Sequence, residues 1–260
     1  MAVLRVTNLS KSFGGIQAIK NISLNIKNKE IVGIIGQNGA GKTTFFNLLT
    51  GIYSPSSGEI EFNLDVKIGS KDLKPYKIAK YGISRTFQNI RLFKNMTVLD
   101  NVLLGCHSNL NYSLFTTLFR FPSYYKVERE ATEKAMKLLE EFDLADKKDE
   151  LAKNLSYGEQ RRLEIVRALA TEPKILLLDE PAAGMNPNET NNLTNLIKWI
   201  RGTYNLTIIL IEHDMSLVME VCDRIFVFDH GNLIASGLPE EIKANKKVIE
   251  AYLGEEVKEC

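Results

Sequence analysis

The sequence has little cysteine: three residues in 260, at positions 106, 222 and 260. They are odd in number, far apart and outside any CxxC pair. That excludes a disulfide framework and a thiolate zinc site, and it fits reduced thiols in a cytosolic protein. An excess of one charge is also missing. Lys and Arg total 33 against 32 Asp and Glu, a formal net charge of +1. Nothing here drives sequence-independent binding to nucleic acid or anionic lipid, so no nucleic-acid partner is expected. Long apolar runs are absent: no stretch approaches the roughly 18 residues of a membrane span. The segment from Met1 to Leu9 has neither the basic region nor the apolar region of a secretory signal. No internal repeat or low-complexity tract interrupts the chain.

What is present is a soluble composition, 44% hydrophobic and 25% charged, and one organising stretch from Ile31 to Thr50. Ile31-Val32-Gly33-Ile34-Ile35 is apolar and short enough for a buried strand. The chain then breaks into Gly36-Gln37-Asn38-Gly39-Ala40-Gly41-Lys42-Thr43-Thr44. It resumes as a helix with Phe45, Phe46, Leu48 and Leu49 on the buried side. Strand, glycine loop and helix in that order are the context of a phosphate-binding loop. The glycines let the backbone approach a ligand closely, and successive N–H groups at a helix N-terminus attract a polyphosphate. Lys42 is placed to reach β- and γ-phosphates, and the Thr43 hydroxyl to ligate Mg²⁺.

Upstream, Val3 to Val6 and Ile22 to Ile26 read as strands. Phe13, beside a glycine pair, either stacks on a nucleotide base or packs, and packing is the commoner fate of such an aromatic. Pro75 to Tyr81 is a short helix stopped by Gly82, and Ile83 to Phe87 a strand. Gln88 follows it, an amide able to sense a metal or water, or a solvated loop residue. From about 97 to 169 helical periodicity takes over. The apolar stretch 105–122 is a packed insertion or a docking surface. Val127 to Leu144 is amphipathic, with Ala131, Ala135, Leu138 and Phe142 inward, and Glu130–Lys134 and Glu133–Lys137 as pairs on its solvated face.

Ser156 and Glu159 match a capping box opening a helix through Ala170. The Ser156 hydroxyl, the Gly158 N–H and the helix N-terminus also form an anion site. Ile175 to Leu178 bury a second strand that ends in Asp179 and Glu180. Adjacent carboxylates at a strand tip repel each other unless a cation is present. Asp179 is then the metal partner, and Glu180 faces a water attacking the γ-phosphate. Thr207 to Ile211 is a third buried strand, ending near His213, which is placed for a γ-phosphate contact. Asp214 caps the next helix. A hairpin around His230-Gly231-Asn232 and a terminal helix begun by Pro239 close the chain.

The order of Gly36–Thr43, Gln88, Leu155–Gln160, Ile175–Glu180 and His213 resembles the nucleotide-binding subunit of an ABC transporter across essentially the whole chain. The resemblance implies an α/β P-loop NTPase cassette with a RecA-like core, an antiparallel β subdomain and an inserted α-helical subdomain. It divides the single domain 1–260 into a core with β subdomain, 1–96 and 170–260, and a helical subdomain, 97–169. It implies ATP and Mg²⁺, with Thr43, Gln88 and Asp179 near the metal. Phe13 would stack on the base, and Glu180, His213 and Gln88 would serve catalysis. Ser156 and Gly158 would meet ATP across a head-to-tail dimer. Tyr157 and Asn186 depart from the commoner signature glycine and loop aspartate.

Arg85 to Phe93, Asp179 to Pro187 and the ending Val248 to Glu255 are similar to the ATP-binding subunit of the bacterial high-affinity branched-chain amino acid importer. That resemblance implies two transmembrane permeases, a second related ATPase or a second copy, and an external binding protein acting indirectly. It places the chain peripherally on the cytoplasmic face of the cell membrane. Urea and short-amide importers carry similar ATPases. A soluble, non-transport ATPase would call for heptad arms or a duplicated cassette, and neither is present.

Overall fold

The computed structural model describes residues 2–108 and 122–253. Residues 109–121, which hold most of the apolar insertion, lie outside the described residues. Ten strands are described: β1 (Ala2–Phe13), β2 (Ile16–Lys27), β3 (Ile31–Ile35), β4 (Ser57–Asn63), β5 (Lys67–Gly69), β6 (Ile83–Arg85), β7 (Ile175–Asp179), β8 (Thr207–Ile211), β9 (Arg224–Asp229) and β10 (Asn232–Gly237). Eight α-helices are described: α1 (Lys42–Leu49), α2 (Val98–His107), α3 (Pro122–Glu141), α4 (Tyr157–Leu169), α5 (Pro187–Tyr204), α6 (Met215–Val221), α7 (Pro239–Lys243) and α8 (Lys246–Leu253). The chain divides into two compact units, residues 1–83 with 174–260, and residues 84–173.

In the first unit an antiparallel sheet runs β2-β1-β4-β5. β1 and β2 are 12 residues each, far longer than Val3–Val6 and Ile22–Ile26. Their pairing carries several register shifts, and Asn8 and Asn21 have φ of 48° and 51°. Each shift breaks the inward–outward alternation, so only the regular inner portions were legible.

The larger sheet has the order β10-β9-β3-β8-β7-β6. β3 is parallel to both β8 and β9, β7 is parallel to β8, and β10 is antiparallel to β9. Every residue of β3, β7 and β8 is buried, as their unbroken apolar runs require. Ile34 lies opposite Ile211, which lies opposite Asp179. The carboxyl ends of three strands therefore finish side by side, the edge where parallel sheets bind ligands. α1 packs on this sheet through fully buried Phe45, Phe46, Leu48 and Leu49. Each such side chain contributes about 1.5–3 kcal/mol of burial. Asp214 caps α6 by accepting N–H bonds from Ser216 and Leu217. Asn186 caps α5, accepting from Asn188 and Glu189 at 3.0 and 3.1 Å, so its departure from aspartate keeps the capping oxygen.

The second unit is built on α2, α3 and α4. This compact unit begins at Ser84, and side chains of its helices hold the segment before α2. Buried Asn101 exchanges hydrogen bonds with both the N–H and the carbonyl of Phe93. Arg161 donates to the carbonyls of Phe87 and Gln88. Arg161 and Glu164 form a buried ion pair at 3.0 Å. Removing one partner of such a pair costs about 3–5 kcal/mol. α3 buries Ala131, Ala135 and Leu138 as expected. Its exposed pairs differ from the expected ones: Lys126–Glu130, Arg129–Glu133 and Lys137–Glu141 form along the helix. Lys134 turns away to Glu172 at 2.7 Å and the Ala170 carbonyl at 3.2 Å, a tertiary partner that helix spacing does not reveal.

The capping box of α4 is present. Glu159 accepts from Lys147 at 2.6 Å and from the Ser156 N–H and hydroxyl at 2.9 and 2.8 Å. Lys147 first, then Ser156, holds this carboxyl down at about 2, against an ordinary 4.5. A depressed carboxyl stabilises the fold above its ordinary value and loses that contribution as acid protonates it. Glu159→Gln should therefore lower the urea midpoint at neutral pH, with the difference shrinking as pH falls from 4.5 toward about 2. A difference that stays constant with pH would contradict this account.

Candidate active site

The loop between β3 and α1 is shaped by close approach. A Cβ on Gly41 would stand 2.6 Å from the Ala18 carbonyl, and Gly41 has φ 102°. A Cβ on Gly36 would collide with the Phe228 carbonyl. Neither position tolerates a side chain. The loop is braced by the Gly231 N–H donating to the Ala40 carbonyl at 3.0 Å. Gln37 donates through Nε2 to the Ala251 carbonyl of α8 at 2.6 Å. Asn38, Gly39 and Thr43 are exposed. A cleft of about 170 Å³ is lined by Ala18, Asn38 to Thr44 and Glu180. A larger groove of about 610 Å³ is lined by Met215, Met219, Ile242, Val248 and Ile249 together with Ser216 and Lys243, and no residue of the glycine loop lines it.

Lys42 is buried, and its Nζ donates to the Gly36 and Gln37 carbonyls at 2.6 and 2.9 Å. Burial pushes its pKa below the ordinary lysine value, while Glu180 and then Asp179 oppose that shift. The cation and both carboxylates thus share one electrostatic neighbourhood. Asp179 ends β7 and is 4% exposed. Glu180 follows with φ 47°, a left-handed conformation costing a non-glycine residue about 1–2 kcal/mol. Its N–H donates to the Ile211 carbonyl at 2.9 Å, which ties the strained residue to the tip of β8. His213 Nε2 lies 2.9 Å from Glu180 Oε1. The two residues, 33 apart in sequence, are brought into contact.

Glu212 escaped the sequence reading. It is buried, and burial pushes its carboxyl above the usual range. It accepts the Ala182 N–H at 2.7 Å and the His213 N–H at 2.9 Å. One carboxylate therefore joins the loop after Glu180 to the backbone of His213. Its only local signal was an acid directly after the apolar run of β8. Phe13 closes β1 at the Gly14-Gly15 turn and packs edge-on to Tyr53, with centroids 5.0 Å apart, while remaining 41% exposed. Gln88, Ser156 and Gly158 belong to the second unit, where Gln88 and Ser156 are exposed. Cys106 and Cys222 are free and buried, and burial raises both thiols, so they are unreactive packing residues.

A family model described as ABC transporter matches residues 19–183. The chain belongs to the ABC transporter family. Its fold is accordingly the P-loop NTPase cassette, and its activity is that of an ABC ATPase. A second model, described as branched-chain amino acid ATP-binding cassette transporter, matches residues 232–258. This ABC cassette is 48% identical over 253 residues to the high-affinity branched-chain amino acid transport ATP-binding protein LivG of Escherichia coli. It is equally identical to the corresponding protein BraF of Pseudomonas aeruginosa. Each alignment covers 97% of this chain and 98% of the relative. A solved structure of an ATP-binding cassette of an ABC transporter in its ADP conformation superposes with a TM-score of 0.83 at 35% identity, covering 98% of this chain and 99% of that one. No described helix of the cassette is long and apolar enough to cross a membrane.

Proposed function

We propose that this chain is the ATP-hydrolysing subunit that powers import of branched-chain amino acids through a membrane permease. The observation that carries the reading is near-full-length identity of 48% to LivG and BraF. In this reading Gly36 to Thr44 cradle the phosphates of ATP, Lys42 neutralises them, and Phe13 stacks on the base. Glu180 accepts the proton of the attacking water, and His213 holds Glu180 and meets the γ-phosphate.

The donor set fits a hard divalent ion. Thr43 offers an exposed hydroxyl and Asp179 a buried carboxylate at the same sheet edge. Among the described residues no group of three or more His, Cys, Asp or Glu is gathered for a metal. Mg²⁺ suits this, because it keeps waters and phosphate oxygens and asks the protein for one or two ligands. When bound with the nucleotide it would neutralise phosphate charge. Gln88 is the third residue assigned to it.

Ser156, exposed, and Gly158, half-buried, at the N-terminus of α4 would bind the ATP of a facing cassette, either a related subunit or a second copy. Two permeases would carry the substrate, delivered by an external binding protein, with this chain on the cytoplasmic face. Cells lacking the chain should lose high-affinity uptake of labelled leucine, isoleucine and valine and keep uptake of urea. The reverse pattern would overturn the assignment.

A further inference from the structure

We propose that Arg161 is a positioning residue that couples the helix carrying Ser156 and Gly158 to the loop carrying Gln88. The inference rests on the roles given to those residues under the proposed function.

Arg161 is fully buried. Its Nη1 donates to the Phe87 carbonyl at 2.7 Å and to Glu164 Oε2 at 3.0 Å. Its Nη2 donates to the Gln88 carbonyl at 2.8 Å and to the Tyr157 hydroxyl at 3.1 Å. The other carboxylate oxygen of Glu164 accepts the Arg91 N–H at 3.1 Å. Two charged side chains one turn apart on α4 thus grip the backbone on both sides of Gln88. Packing alone does not need this. An apolar contact would also join helix to loop but would let the peptide planes rotate. A planar guanidinium with two short bonds to successive carbonyls fixes their orientation, and a lysine lacks that fork.

Tyr157 takes part in the same device. It stands where the commoner signature has glycine, and its hydroxyl occupies one of the Arg161 donors. A ligand that draws on the start of α4 therefore displaces Arg161, and Arg161 carries Gln88 with it. The coupling is reciprocal: what moves Gln88 is felt at Ser156. Gln88 inherits its position from α4 through its backbone carbonyl.

The test is a double-mutant cycle on the full-length chain. One arm is Arg161→Met with Glu164→Gln, which removes both buried charges together and leaves neither stranded. The other arm is Gln88→Ala. Readouts are kcat for ATP hydrolysis, ATP affinity and Tm. Each arm should lower kcat by about tenfold or more with ATP affinity changed less than about twofold, and the combined variant should be no slower than Gln88→Ala alone. Arg161→Lys, which keeps the charge and loses the fork, should lower kcat with ATP affinity changed less than about twofold. Losses that multiply in the combined variant would show that Arg161 does not act through Gln88 and would overturn the coupling alone. Full kcat in Gln88→Ala would overturn the role of Gln88 and the coupling with it.

Discussion

Replacing Glu180 by Gln leaves ATP binding intact and reduces hydrolysis by about two to four orders of magnitude, the range of a lost general base. The cleft is unchanged in shape, because the amide is isosteric and Glu180 is held in place by its backbone. Its N–H remains bonded to the Ile211 carbonyl, and His213 still finds an oxygen at the position now 2.9 Å away. What disappears is the basic oxygen. The left-handed backbone at Glu180 is the reason to expect the effect to be large. A residue held in that conformation at a strand tip is positioned at an energetic cost that a solvated loop acid would avoid. The check is single-turnover phosphate release together with nucleotide affinity. Near-normal release would remove Glu180 from the role of base.

Replacing Lys42 by Ala weakens ATP affinity by roughly ten- to a hundredfold, the worth of one charge-assisted bond to phosphate. Lys42 is buried among the loop carbonyls and opposed to Asp179 and Glu180. Without it the loop carbonyls lose their donor, and two carboxylates face the phosphates with no nearby lysine. Both changes act against an anionic ligand. Calorimetry with Mg-ATP measures the loss directly. An unchanged Kd would contradict the phosphate-loop assignment.

The elements that hold the site were legible because they obey local rules. β3, β7 and β8 are unbroken apolar runs, and their buried fate follows from that pattern. Ser156, Asp214 and Pro239 announce helix starts through capping chemistry that operates within three residues. The residues missed all act at long range. Glu212 reaches Ala182, 30 residues away, and Arg161 reaches Phe87, 74 residues away. Gln37, legible as part of the glycine loop, has in addition a tie to Ala251 across 214 residues. A single sequence carries no local trace of such pairings, because the polar side chain looks solvated until the fold buries it. Lys134 shows the same limit from the other side. Its spacing from Glu130 invites a helical pair, and tertiary packing gives it Glu172 instead. In the β1–β2 hairpin the strand signal is shorter than the strands for a different reason, since bulges interrupt the two-residue period that marks a strand.

The central claim is that hydrolysis at this site drives uptake of branched-chain amino acids. The most direct measurement is uptake of labelled leucine by cells deleted for this chain and supplied with either the wild-type chain or Glu180→Gln, with urea uptake as the control. The account predicts that wild type restores leucine uptake, Glu180→Gln does not, and urea uptake is the same in both. Leucine uptake restored equally by the two chains, or a defect confined to urea, would contradict it.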